Sequence, residues 1–455
     1  MENKEKFCLT PDPLTRHNWE NYSAYIHVEY RQSEEEGLDV EQYKPLFDAV
    51  SAMPLSRERE ELAEGLFPIV WNAPKREGYP YNEPSDLDGI FALRNPEWQH
   101  PVKPAPESIR DKIAGAWYGR ICGCLLGKPV EGIHTDELHP LLKQSGNYPM
   151  HRYIRSEDVT QEMKDGYKFH LEGRCFADTV DGMPVDDDTN YTVLYQECIE
   201  QYGRDFTPTD VSKLWVARQS KNAYCTAERV AFVNFIKGYL PPVSAMIRNP
   251  FREWIGAQIR GDYFGYINPG DPETAADMAW RDGCIAQTKN GIYGEMFVAA
   301  CLAEAAVNDD IEAIIRAGLS QIPATSRLYE RIVAVLDAYH NGVSEEAFFR
   351  DLHERWNEFY SHHWCHTISN AEIVVACLLY GKGDYGRSVC MAVEQGFDTD
   401  CNGATVGSIL GMRGGLAAVG NEWTEPLHGK LHTSIFGVGT VNIDDRVEMT
   451  MKHLK

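Results

Sequence analysis

Basic residues are scarce in this chain. Its 455 residues carry 44 lysines and arginines against 68 aspartates and glutamates, a formal charge of −24. Such a surface repels phosphate backbones and anionic lipid heads, so no nucleic-acid partner and no membrane partner is expected. An apolar signal segment is also missing: Met1-Glu-Asn-Lys-Glu-Lys opens the chain with charge. No run of about 18 apolar residues is uninterrupted; the best, 403–420, contains Arg413 and six glycines. The twelve cysteines form no CxxC pair, and Cys122 and Cys124 stand too close for usual zinc spacing. Cys198, Cys301, Cys377 and Cys390 sit singly in apolar runs, as reduced core thiols do. A soluble, cytoplasmic protein is expected. No GxGxxG, Walker A or GxSxG element occurs, which leaves nucleotide-cofactor and serine-hydrolase chemistry without support.

What is present describes a folded chain, 43% apolar and 11% aromatic. At ~150 residues per domain the length suggests two or three units. Residues 1–108 read as a helical extension, charge-dense at Ser33–Glu36 and Arg57–Glu64, with amphipathic stretches over 41–53 and 57–69. Proline-bearing connectors follow at Asn72–Pro84 and Asn95–Pro106. Trp71 and Trp98 call for burial, which predicts that the extension docks on the main body. Residues 109–455 read as one all-α domain. Helices are predicted over 109–127, 189–202, 210–219, 272–286, 292–307, 311–318, 327–340, 345–360, 371–380, 386–395 and 402–418. Met296–Ala303 and Ile373–Tyr380 are apolar on every face, so they belong inside a large helical assembly. The best strand signal is Ile435–Ile443.

Glycine recurs at i+4 in two of these helices: Gly115, Gly119, Gly123 and Gly127, then Gly403, Gly407 and Gly411. Each interior glycine costs about 1 kcal/mol against alanine, so something must approach closely. For the first stripe a helix crossing is expected. For the second a ligand is favoured, because aspartates precede it. Asp186-Asp187-Asp188 and Asp398-Thr399-Asp400 each stand at a helix start. One cap needs one carboxylate, and crowded carboxylates repel unless a cation joins them. All-oxygen donors suit Mg²⁺, with Mn²⁺ or Ca²⁺ as alternatives. The spaced acids and final glutamate of an EF-hand are missing. Capping and metal binding both stay open at this point, since sequence alone does not bring the clusters together.

The run Gly115-Ala-Trp-Tyr-Gly-Arg-Ile-Cys-Gly-Cys-Leu-Leu-Gly-Lys-Pro-Val-Glu-Gly, the Asp-Asp-Asp-Thr beginning at Asp186, and Gly396-Phe-Asp-Thr-Asp-Cys-Asn-Gly-Ala-Thr-Val-Gly together resemble the ADP-ribosylglycohydrolase family. Arg260-Gly-Asp-Tyr-Phe-Gly, Asn290-Gly-Ile-Tyr-Gly-Glu and His366-Thr-Ile-Ser-Asn extend the resemblance across roughly 109–420. It implies an all-α domain whose cleft holds two Mg²⁺ ions and hydrolyses a glycosidic bond at C1 of a ribose. By position it implies metal ligands at Asp186, Asp187, Asp188, Asp398, Asp400 and Cys401. It implies catalytic roles for Glu131, Asp188 and Asp400. Asn290, Gly291, Tyr293, His366 and Gly403 would contact substrate, an ADP-ribosylated protein or a small ribosyl compound. The alternatives are a nucleoside or nucleotide N-glycosidase on this scaffold and a non-catalytic ADP-ribose binder.

Three positions depart from the family pattern. Cys401 stands where a threonine ligand is common, Asp186 where Ser or Thr is common, and Thr288-Lys289 where Thr-His is frequent. A neutral thiol is a poor Mg²⁺ ligand, and carboxylate neighbours keep it neutral. His362, His363, Cys365 and His366 are packed too tightly for usual zinc spacing and read as a surface or core-edge cluster.

Overall fold

The computed structural model describes residues 13–15, 18–97 and 101–454. Helices run through that whole range, as the sequence predicts. Among the described residues the one sheet is an antiparallel hairpin, Lys430–His432 against Thr440–Asn442. The strand expected over 435–443 is thus shorter, because Asn442 caps a C-terminal helix, Ile443–His453. No described helix is long and apolar enough to cross a membrane.

Two helices cross at the centre, Ile109–Gly127 and Thr399–Gly414, and almost every residue of both is buried. Their glycine stripes face each other in register. A Cβ on Gly115, Gly119 or Gly123 would run into the carbonyl of Gly411, Gly407 or Gly403, and the reverse holds for each pair. Gly127 is pressed in the same way on Thr399. The second stripe, Gly403 included, thus serves the helix crossing as the first does. Backbone contact this close exists only because seven positions lack a side chain.

The extension contains helices Ile26–Glu35, Lys44–Ser51 and Arg57–Asn72 around a small core of its own, including Ile26, Phe47, Ala63 and Leu66. It docks on the body through buried charge. Arg252 pairs with Glu29 at 2.7 Å and Glu36 at 2.6 Å, and Lys289 also pairs with Glu36. Arg327 joins Glu83 of the first connector to Glu253 of the body, at 2.8 and 2.7 Å. Trp71 does not share in this docking, since it is 47% exposed, whereas Trp19 packs on the core of the body. Trp98 lies outside the described residues.

Candidate metal centre and active site

The two aspartate clusters come together at the start of two helices. Asp186 precedes helix Asp187–Tyr202, and its Oδ1 accepts the Asp188 N–H at 2.9 Å. Asp186 is thus a true cap. Asp398 precedes Thr399–Gly414 but makes no side-chain capping bond, which leaves its carboxylate for other work. Oxygens of Asp186, Asp188 and Asp400 and the Cys124 sulfur lie within 4.8 Å of one another. Asp398, Asp400 and Cys401 form a second such group, sharing Asp400.

A stripe of the first glycine helix, offset from the glycines by one residue, meets these acids: Arg120, Cys124 and Lys128, spaced i+4. The Lys128 ammonium sits on Asp186 Oδ2. Arg120, fully buried, donates to Asp188 Oδ1 at 3.2 Å and pairs with Asp262 at 2.8 Å. Asp262 belongs to the Arg260-Gly-Asp segment, so that segment steadies Asp188 through Arg120. Burial would push the Asp186 carboxyl up, but Lys128 holds it below the usual range. The other acids go the opposite way. Burial raises Asp188, with Arg120 opposing it and Asp186 adding repulsion. Burial, then the charge of Glu131, pushes Asp398 up to about 7. Burial, Glu131 and Asp186 raise Asp400. Asp187 is half-exposed and raised by burial and by Asp186. Glu131 is open to solvent at the mouth of this acidic recess, yet the protein around it and Asp186 raise it too.

These residues fit a hard divalent cation. Asp188 Oδ2 and Asp400 Oδ1 are buried without any hydrogen-bond partner. A buried polar atom left unpaired costs roughly 1–3 kcal/mol, so such oxygens call for a positive ligand. The thiols contribute little to binding such an ion. Burial, then Asp188, Asp398 and Asp400, raise the Cys401 thiol, and burial with Asp186 raises Cys124, so both are neutral. Cys365 closes the same side, its sulfur 3.9 Å from Asp398 Oδ2.

The remaining site candidates are engaged elsewhere. The Asn290 amide donates to Glu83 at 2.8 Å and Glu253 at 2.9 Å, and its oxygen accepts the Leu328 N–H. Tyr293 donates its hydroxyl to the Pro84 carbonyl. Gly291 packs on Arg252 and Gln287. This segment therefore binds the extension, and its polar side chains are fully buried. His366 Nδ1 accepts the Ile368 N–H at 3.1 Å, which puts the ring proton on Nε2, 3.7 Å from Glu253. His362 Nδ1 accepts from the Trp254 indole at 3.0 Å, so its Nε2–H faces Glu35 at 3.0 Å. Neither Nε2 offers a lone pair, so Glu35, His362 and His366 are no zinc site. Sequence reading missed Arg120, Lys128 and Cys124. Their i+4 spacing beside the glycine stripe was the available signal.

No curated protein matches the chain. A solved structure described as an ADP-ribosylglycohydrolase-related protein complex is 17% identical, covering 76% of this chain and 98% of its own, with a TM-score of 0.44. The family model for ADP-ribosylglycohydrolase matches residues 105–448, a span that holds the glycine helices and both aspartate clusters, and the chain belongs to that family.

Proposed function

We propose that the protein is a Mg²⁺-dependent hydrolase of the glycosidic bond at C1 of the ribose in an ADP-ribosyl or related ribosyl substrate. One observation carries the reading: aspartates from two distant chain segments share a buried recess in which Asp188 Oδ2 and Asp400 Oδ1 lack partners. Asp188, Asp398 and Asp400 would hold the ions, with Asp187 beside them; Mn²⁺ or Ca²⁺ suits the same donors. Bound there, a divalent ion supplies Lewis acidity toward ribose hydroxyls and a water.

The chain's own groups do the rest. Bond cleavage builds positive charge on the ribose, and a carboxylate-rich pocket stabilises it. Glu131 at the mouth, raised by its surroundings, is suited to pass a proton at its carboxylate. The positive ends of helices Asp187–Tyr202 and Thr399–Gly414 offset the acids and help admit a pyrophosphate. The substrate is an ADP-ribosylated protein or a small ribosyl compound. Every described cysteine is free, which suits action in the reducing cytoplasm.

The test is chromatographic detection of released ADP-ribose from arginine-linked, serine-linked and small-molecule ADP-ribosyl substrates, with Mg²⁺ or with chelator. Release with Mg²⁺ alone is expected. Glu131→Gln should lose ~10²-fold or more in kcat while Mg²⁺ binding stays at the wild-type level. Failure on every substrate by a protein that demonstrably binds Mg²⁺ would contradict the reading.

A further inference from the structure

We infer that a second pocket, apart from the carboxylate recess, binds a nucleoside phosphate where the extension meets the helical body. The cavity measures about 310 Å³, and its walls include Arg31 and Tyr81 from the extension with Arg327, Arg331, Arg355 and Trp356 from the body. Four guanidiniums around one opening are conspicuous in a chain of charge −24. Glu35 is the one acid on the wall, and it is turned to Arg31 and His362.

The arginines are pinned from behind. Glu372, fully buried, accepts from Arg331 at 2.9 and 3.0 Å, from Arg355 at 2.8 Å and from the Trp356 indole at 2.9 Å. One carboxylate thus holds two guanidiniums, and Asp351 also pairs with Arg355 Nε at 2.9 Å. Glu83 and Glu253 fix Arg327, while Glu34 and Glu35 fix Arg31. Each guanidinium keeps one terminal amino group out of these bonds: Nη2 of Arg31 and Arg355, Nη1 of Arg327 and Arg331. None of the four is sealed from solvent. An arginine held at one edge presents its other edge pre-oriented, which suits phosphate oxygens. Trp356, Tyr81 and Ile368 add flat and apolar wall, against which a planar ring stacks. The volume lies at the low end for ligand pockets, enough for one nucleotide and too small for an oligonucleotide. None of the acids of the metal recess lines it.

Calorimetric titration with adenosine 5′-monophosphate in chelator, where the metal recess is silent, tests this. The wild type and Asp400→Asn should bind alike, and adenosine or inorganic phosphate alone should bind more weakly. Arg31→Ala and Tyr81→Ala, both at partly exposed positions, should each weaken binding by about tenfold without lowering the melting temperature. Should a variant fail to melt cooperatively, photo-crosslinking of an azido analogue to the wild type decides, with adducts at Tyr81 or Trp356 expected. No binding, phosphate binding as tight as the nucleotide, loss of binding in Asp400→Asn, or adducts elsewhere would overturn the proposal.

Discussion

Lys128 governs how much negative charge the recess offers to a metal. Its ammonium neutralises Asp186, the acid that stands where the family commonly has Ser or Thr, so the extra carboxylate arrives with its own counter-ion. Lys128→Met leaves that carboxylate buried and unpaired. Breaking a buried pair costs roughly 3–5 kcal/mol, and about 2 is expected here because Lys128 keeps 19% exposure. The Mg²⁺-induced rise in melting temperature should grow at the same time, since the site gains a negative charge. Melting curves with and without Mg²⁺ report both; an unchanged Mg²⁺ shift would remove Lys128 from the site's electrostatics. The aspartates were legible as residues because three adjacent acids exceed what one cap requires. Lys128 and Arg120 were not, because a basic residue beside a glycine stripe looks the same whether it faces solvent or an acid 58 or 68 residues away.

At the scale of elements, glycine has opposite meanings in two helices. Gly407 faces the Gly119 carbonyl directly, so Gly407→Ala should destabilise the protein by about 2 kcal/mol or more, overpacking outweighing the ~1 kcal/mol helix preference. Gly65, exposed in helix Arg57–Asn72 with nothing within 4 Å of its Cβ position, should give the reverse. Gly65→Ala should stabilise by about 1 kcal/mol in the same thermal melts. The i+4 spacing made both central helices readable, and 109–127 and 327–340 match the structure. It could not say that the stripes meet each other, since a glycine surface is equally open to a helix or a ligand. Helix Ile26–Glu35 was harder to see because its acids, Glu29 and Glu35 among them, look like a solvated face yet point at Arg252 and His362. Thr226–Ile236 is buried nearly all round and lacks an amphipathic signature.

For the whole molecule, the extension and the body form one charge-locked unit. Arg252→Met strands Glu29, whose side chain is 0% exposed, and leaves Glu36 to Lys289. A loss of about 3–5 kcal/mol is expected, with earlier proteolysis of residues 26–72 than of the helical body. Uniform cleavage across both regions would show that the extension is held by other contacts. The central claim, that two aspartate clusters make one cation site, is tested by calorimetric titration of Mg²⁺ into wild type, Asp188→Asn and Asp400→Asn. Both substitutions are nearly isosteric and each removes a carboxylate with a buried, unpartnered oxygen. Either one alone should abolish most Mg²⁺ binding, along with a stabilisation of ~2.7 kcal/mol at a hundredfold excess over Kd. Wild-type Mg²⁺ binding in both variants would contradict the account and return the clusters to helix caps.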